Sequence, residues 1–154
     1  MKDHEILTLL EKAYAAEHET VENYLANSVW LDGLRAEEVK EALARDVTDE
    51  LGHAQRLAHR MKELHHCPPG SMKLERTQQQ LQPPGDPTDI TSVVRGVVAY
   101  EKEAIDLYNQ IIRECEGRDY VTQDMAIKLL ADEERHRTLF EGFLHSLEQH
   151  AKAA

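Results

Sequence analysis

Two short runs in this chain repeat one pattern 83 residues apart. The first is Asp49-Glu50-Leu51-Gly52-His53 and the second is Asp132-Glu133-Glu134-Arg135-His136, both Asp-Glu-x-x-His. Around each run apolar residues recur at helical spacing, so both belong to amphipathic helices. Residues three apart share a helix face. That face is the apolar one, because Glu50 and His53 interrupt Leu43 and Leu57, and Glu133 and His136 interrupt Leu129 and Phe140. Any fold of this chain must therefore accept two Glu-His pairs in its core.

Four long stretches carry helical periodicity. They cover approximately 3–31, 36–65, 89–116 and 120–150. The first is expected to use Asp3 as its N-cap. Gly33 breaks the first from the second, Cys67-Pro68-Pro69-Gly70 ends the second, and Gly117 ends the third. Residues 66–88, rich in Pro, Gly and Gln, form the connector between the second and third. Short loops make helices one and two antiparallel neighbours, and likewise three and four. A 28-residue helix is roughly 42 Å long at about 1.5 Å per residue. An extended connector gains about 3.3 Å per residue, enough to travel the length of such a helix. The expected fold is all-α: one domain over 1–154, an antiparallel four-helix bundle of two hairpins joined by one long crossover.

The two halves match each other. Glu17 lies 33 residues before Glu50, and Glu101 lies 32 before Glu133. Tyr24 and Tyr108 each follow the leading Glu by seven residues, and Gly33 and Gly117 by sixteen. Two copies of one helical hairpin, related by a pseudo-two-fold axis, account for these coincidences. Glu17 falls on the stripe of Ala13, Val21 and Tyr24, and Glu101 on that of Val97 and Ala104. Every helix thus turns an acidic group inward, and two add a histidine. Two like charges 4 Å apart repel by about 4 kcal/mol at an effective dielectric near 20. The stripes offer no Lys or Arg to neutralise four of them. Two divalent cations would balance the charge, with two neutral histidines completing the ligand set. Carboxylates with imidazoles suit iron or manganese, and zinc would also bind.

Composition narrows the alternatives. A formal net charge of -11 disfavours nucleic-acid binding, and neither terminal segment is a basic tail. No apolar run reaches membrane-spanning length. The first residues lack the apolar core of a signal peptide. Cys67 and Cys115 form neither a disulfide framework nor a zinc-ribbon spacing. The expected location is a reducing cytoplasm.

Glu17, Glu50, His53, Glu101, Glu133 and His136 match the ferroxidase centre of bacterioferritin in order and nearly in spacing. The segment DYVTQDMAIKLLADEERH at 119–136 resembles the same segment of that family, and HAQRLAHRMKEL resembles the run after its first motif. The likeness covers most of the chain except the crossover and the C-terminus, and it places the chain among ferritin-like proteins. It implies two iron ions per chain, held by those six residues acting as both metal ligands and catalytic groups. It also implies oxidation of Fe(II) by O₂ or H₂O₂ and a homo-oligomeric shell. Leu51 stands where bacterioferritins carry a haem-ligating methionine, so no haem is expected. Only 18 residues follow His136, too few for a fifth helix, and the crossover is longer than in that family. A shell of 24 is thus one option, beside a Dps-like shell of 12 or something smaller. Two other functions remain open from the residues alone. One is a rubrerythrin-like oxidase or peroxidase whose iron cycles in place, and the other is a bundle that binds metal without turnover.

Neighbouring residues carry further expectations. Asp49 and Asp132 suit carboxylates that orient metal-bound imidazoles. Tyr24 is read as hydrogen-bonding a ligand and Tyr108 as packing. Trp30 is read as packing or a subunit contact. His65, His66 and Cys67, with His59 one turn earlier, fit no standard metal spacing and read as a helix end with histidines near its negative pole.

Overall fold

In a computed structural model, residues 2–153 are described, the side chains of Lys2 and Asp3 excepted. The four helices are α1 (Lys2–Trp30), α2 (Ala36–Glu63), α3 (Ile90–Cys115) and α4 (Tyr120–Ala153). No strand occurs among the described residues. The expected N-cap side chain, that of Asp3, lies outside the described residues. The expected antiparallel four-helix bundle is formed, with α1 packed chiefly on α2 and α3 on α4.

The turns follow from the residues that make them. Gly33 and Gly117 have φ of 113° and 68°, a region costly for side chains with a Cβ. At the end of α2, His65 takes φ 58°. Its amide donates to the Lys62 carbonyl at 3.0 Å and the His66 amide donates to Met61 at 2.9 Å, a Schellman closure. The expected helix to residue 65 therefore stops two residues early. His66 pairs with Glu11 at 2.7 Å, while His59, His65 and Cys67 are exposed. Among the described residues these four gather into no metal-competent cluster. The Asp89 side chain accepts from the Ser92 amide and caps α3, and α4 runs three residues past its expected end at 150.

The crossover contains two 3₁₀ turns, Ser71–Lys73 and Gln79–Leu81. It is strapped to a polar edge of α1. The buried Glu19 carboxylate accepts the amides of Thr77 and Gln78, both at 2.7 Å. Asn27 donates to the Leu81 carbonyl at 2.9 Å, and the Trp30 indole donates to Pro84 at 2.7 Å. On the other side the strap lies against α3 at Gly96, where any Cβ would collide with the Gln80 carbonyl.

Two apolar clusters fill the bundle. One gathers Leu31, Leu43, Val94 and Phe140, the other Leu10, Leu57, Ile111 and Leu129. The polar residues of the doubled motif sit between them. No helix among the described residues is long and apolar enough to cross a membrane.

Candidate metal centre

All six residues singled out from the sequence meet at mid-bundle, each buried. They form two overlapping groups of ligand-competent side chains. Glu17, Glu50, His53 and Glu133 make one, and Glu50, Glu101, Glu133 and His136 make the other. Glu50 and Glu133, the glutamates of the doubled motif, belong to both.

The imidazoles have a fixed orientation. His53 turns Nδ1 inward, 2.9 Å from Glu133 Oε1 and 3.3 Å from Glu50 Oε2. His136 turns Nδ1 inward, 3.2 Å from Glu50 Oε1 and 3.6 Å from Glu133 Oε2. Each Nε2 faces outward to an aspartate of the opposite hairpin. His53 Nε2 is 3.0 Å from Asp132 Oδ2, and His136 Nε2 is 3.1 Å from Asp49 Oδ2. An Nε2–H donated to an aspartate leaves the Nδ1 lone pair facing the carboxylates.

The tyrosines cross between hairpins in the same way. Tyr24 donates to Glu101 Oε1 at 2.7 Å, and Tyr108 donates to Glu17 Oε1 at 2.5 Å. Tyr108 is thus more than packing, contrary to the reading from sequence. Its hydroxyl has a carboxylate from the other hairpin in reach, a contact that spans 91 residues of chain.

The remaining atoms have no hydrogen-bond partner. They are Glu17 Oε2, Glu101 Oε2, both oxygens of Glu50 and of Glu133, and Nδ1 of both histidines. Several lie close together without being aimed at one another, as atoms do when they converge on a common centre. Buried polar atoms are otherwise nearly always paired, so this set fits metal ions. The oxygen count is informative. Tyrosine occupies one oxygen of Glu17 and of Glu101, leaving one free on each, whereas Glu50 and Glu133 have two free oxygens and can bridge.

Protonation shows the same excess of negative charge. Burial, then the Glu50 and Glu133 carboxylates, push Glu17 well above its ordinary range. Burial and then Glu133 do the same to Glu101. Burial works against the imidazolium forms, but Glu133 and Glu50 raise His136 to about 11, and Glu133, Glu17 and Glu50 raise His53 as well. Burial also opposes ionisation of Glu50 and Glu133, yet the adjoining acids and imidazoles hold both below the usual value. Without cations, protons do the neutralising.

One residue was not found from the sequence. Asp46, one turn before Glu50, is buried with Oδ2 unpartnered and Oδ1 3.5 Å from His136 Nε2. With Asp49 and His136 it forms a third ligand-competent group. Burial, followed by the Glu50 carboxylate working against His136, raises Asp46 to about 7. Leu51 lies 44% exposed on the outside of α2. Glu19 and Glu22, the neighbours of Glu17, have other work: Glu19 holds the crossover and Glu22 pairs with Arg76 at 2.7 Å.

The ferritin-like domain model matches residues 7–150. The chain belongs to the ferritin-like family. Among its curated relatives is the DNA protection during starvation protein of Pyrococcus furiosus, 28% identical over 142 residues, covering 90% of this chain and 76% of that one. Another is the bacterioferritin of Desulfovibrio desulfuricans, 26% identical over 143 residues, covering 88% and 72%. Solved structures share the fold. A dodecameric thioferritin, the bacterioferritin-related protein from Bacteroides fragilis, superposes with a TM-score of 0.84 at 23% identity over 97% of this chain and 90% of that one. The Desulfovibrio desulfuricans bacterioferritin, described with a diiron site in different catalytic states, does so with a TM-score of 0.81 at 21% identity over 96% and 82%. This ferritin-like chain thus has a buried carboxylate and histidine cluster that could hold metal ions.

Proposed function

We propose that this protein is a ferroxidase: it binds two Fe(II) in the cluster, oxidises them with O₂ or H₂O₂, and keeps the ferric product in a homo-oligomeric shell. The observation that carries this is the set of unpartnered inward atoms, two oxygens each on Glu50 and Glu133 and one each on Glu17 and Glu101. That pattern suits two bridging and two single-oxygen carboxylates, with His53 and His136 each adding Nδ1. Four carboxylates balance two divalent cations. The diiron site of the Desulfovibrio relative supports iron over manganese or zinc, and the dodecameric relative supports a shell.

Each residue has a separable task. Glu50 and Glu133, which belong to both ligand-competent groups, would hold the two ions at one site, where they could serve one oxidant molecule. Asp49 and Asp132 fix the tautomers of His136 and His53. Tyr24 and Tyr108 tie one oxygen of each single-oxygen carboxylate and keep the other free. Iron as substrate supplies the electrons. Two Fe(II) reduce O₂ and two protons to H₂O₂, or reduce H₂O₂ and two protons to two waters. The acidic surface favours arrival of cations.

Aerobic Fe(II) loading, followed by size exclusion with iron and protein measured in the same peak, tests the reading. Iron far above about two per chain in a large particle is the expected result. Iron that stops near that ratio would leave oxidation in place and remove storage. Failure to oxidise Fe(II) with either oxidant would overturn the assignment.

A further inference from the structure

The doubled motif is not repeated at its fourth residue. Gly52 precedes His53, and Arg135 precedes His136. The residue one turn before each motif glutamate differs too, Asp46 in one half and Leu129 in the other. Neither difference reaches the inward layer, where the halves match. His53 Nδ1 lies 3.7 Å from Glu17 and His136 Nδ1 lies 3.8 Å from Glu101, and both groups share Glu50 and Glu133. The inward ligands therefore give no reason for one metal position to fill before the other.

The layer behind the imidazoles does. His136 Nε2 faces two carboxylates, Asp49 Oδ2 at 3.1 Å and Asp46 Oδ1 at 3.5 Å. Among the described residues neither aspartate pairs with a Lys or Arg. Gly52, three residues after Asp49, has no side chain to bring one. His53 Nε2 faces Asp132 Oδ2 at 3.0 Å, and the other oxygen of that aspartate is held by the Arg135 guanidinium at 2.5 Å. With the carboxylates ionised, two uncompensated negative charges stand behind His136, and one offset by a cation stands behind His53. A carboxylate behind a metal-bound imidazole makes it a stronger ligand. A guanidinium on that carboxylate draws charge away from it and repels an arriving cation. Packing acts in the same direction. Tyr24, the donor to Glu101 in the His136 group, is backed by the edge of the Tyr100 ring, with centroids 6.4 Å apart. Ala16 stands before Glu17 where Tyr100 stands before Glu101.

We propose that the two metal positions are unequal and fill in order: the position served by His136 takes the first divalent cation and the position served by His53 the second, with Asp46 and Arg135 as the positioning residues that set the order. This rests on the two-ion centre of the ferroxidase reading and gives that centre a loading sequence.

Anaerobic Co(II) titration at about pH 8, with the carboxylates ionised, tests the order by calorimetry and d–d absorption and needs no turnover. Wild-type protein is expected to bind two Co(II) in separate steps. His53→Ala is expected to keep the tighter step, and His136→Ala only the weaker one. Three further variants leave every ligand in place. Asp46→Asn is expected to weaken the tighter step about tenfold. Gly52→Arg, where an added Cβ meets no atom within 4 Å, gives Asp49 the cation that Asp132 already has, and is expected to weaken the same step about threefold. Arg135→Gln is expected to strengthen the weaker step about threefold, the small size reflecting an exposed ion pair, and Arg135→Lys to leave it near wild type. Equal steps in wild type, or loss of the tighter step in His53→Ala, overturn the order. An unchanged tighter step in Asp46→Asn removes Asp46 from the proposal, and an unchanged or weakened second step in Arg135→Gln removes Arg135. Protein that loads Co(II) in order but oxidises no Fe(II) would count against the ferroxidase reading while the order stands. Protein that binds no Co(II) would overturn both.

Discussion

The two halves of the centre are alike where they face each other and unlike one layer out. Each hairpin supplies a Glu from its first helix and a Glu-His pair from its second. Each also lends a tyrosine and an aspartate to the other hairpin's ligands. Beyond that the symmetry fails. One turn before Glu50 stands Asp46, and at the matching place before Glu133 stands Leu129, fully buried and apolar. Before Glu17 stands Ala16, and before Glu101 stands Tyr100. Consequently His136 Nε2 meets two aspartates, Asp46 and Asp49, whereas His53 Nε2 meets Asp132 alone. A duplicated hairpin can keep its cluster residues paired and still distinguish the two halves of the cluster through groups that touch only one imidazole.

The hardest blow to this comparison is to remove a group that both halves share. Glu50→Ala or Glu133→Ala is expected to slow Fe(II) oxidation by at least about 100-fold. The same variants should bind less than the full Co(II) complement in a spectroscopic titration. Wild-type rates would show that the bridging role is wrong.

The asymmetry itself is exposed by the aspartates. Loss of a carboxylate that orients a metal-bound histidine commonly costs about 10–100-fold in affinity. Asp132→Asn leaves His53 without a carboxylate partner, while Asp49→Asn leaves His136 with the carboxylate of Asp46. Calorimetric Co(II) titrations are therefore expected to show the larger loss in Asp132→Asn. Equal losses would mean that Asp46 does not substitute for Asp49.

A smaller effect concerns the metal-free protein. Asp46 has its carboxyl raised from 3.8 to about 7, mainly by burial. Between those values the folded state holds a proton that the unfolded state has released. The contribution of Asp46 to stability is thus fully present below about pH 4 and is lost as pH rises to about 7. Denaturant titrations across that window are expected to show wild-type protein losing on the order of 3 kcal/mol relative to Asp46→Asn. Parallel pH profiles for the two proteins would refute this role.

The smallest difference is expected between the tyrosines. Tyr24→Phe and Tyr108→Phe each remove one hydrogen bond to a single-oxygen carboxylate, worth about 1 kcal/mol. Because the bonds are equivalent across the axis, Co(II) affinity is expected to fall by similar factors in both. A clear inequality would carry the asymmetry of Asp46 and Leu129 into the tyrosine layer.

What the sequence made legible follows from the same contrast. Glu17, Glu50, His53, Glu101, Glu133 and His136 could be picked out because each has a counterpart at matching spacing. The helices could be placed because their stripes are long and their ends carry Gly and Pro. Asp46 and Tyr100 occur once, so internal repetition says nothing about them, and each lies beside a stripe residue that already explains its burial. Tyr108 was misread because a tyrosine on an apolar stripe looks the same whether or not its hydroxyl has a carboxylate in reach. The strap was hidden for another reason. Glu19 and Gln78 are 59 residues apart, and nothing local in either segment announces the pairing.

That strap has a consequence for assembly of the centre. Two hairpins that each hold half of a cluster could in principle find partners on different molecules, and the cluster would then form only as fast and as fully as molecules meet. Here the crossover is fastened to α1 through Glu19 and Asn27 and seated against Gly96 of α3. The second half is therefore delivered to the first at a fixed local concentration, in the millimolar range typical of short tethers. Dilution of the protein leaves that concentration unchanged, so the cluster comes together within a single chain.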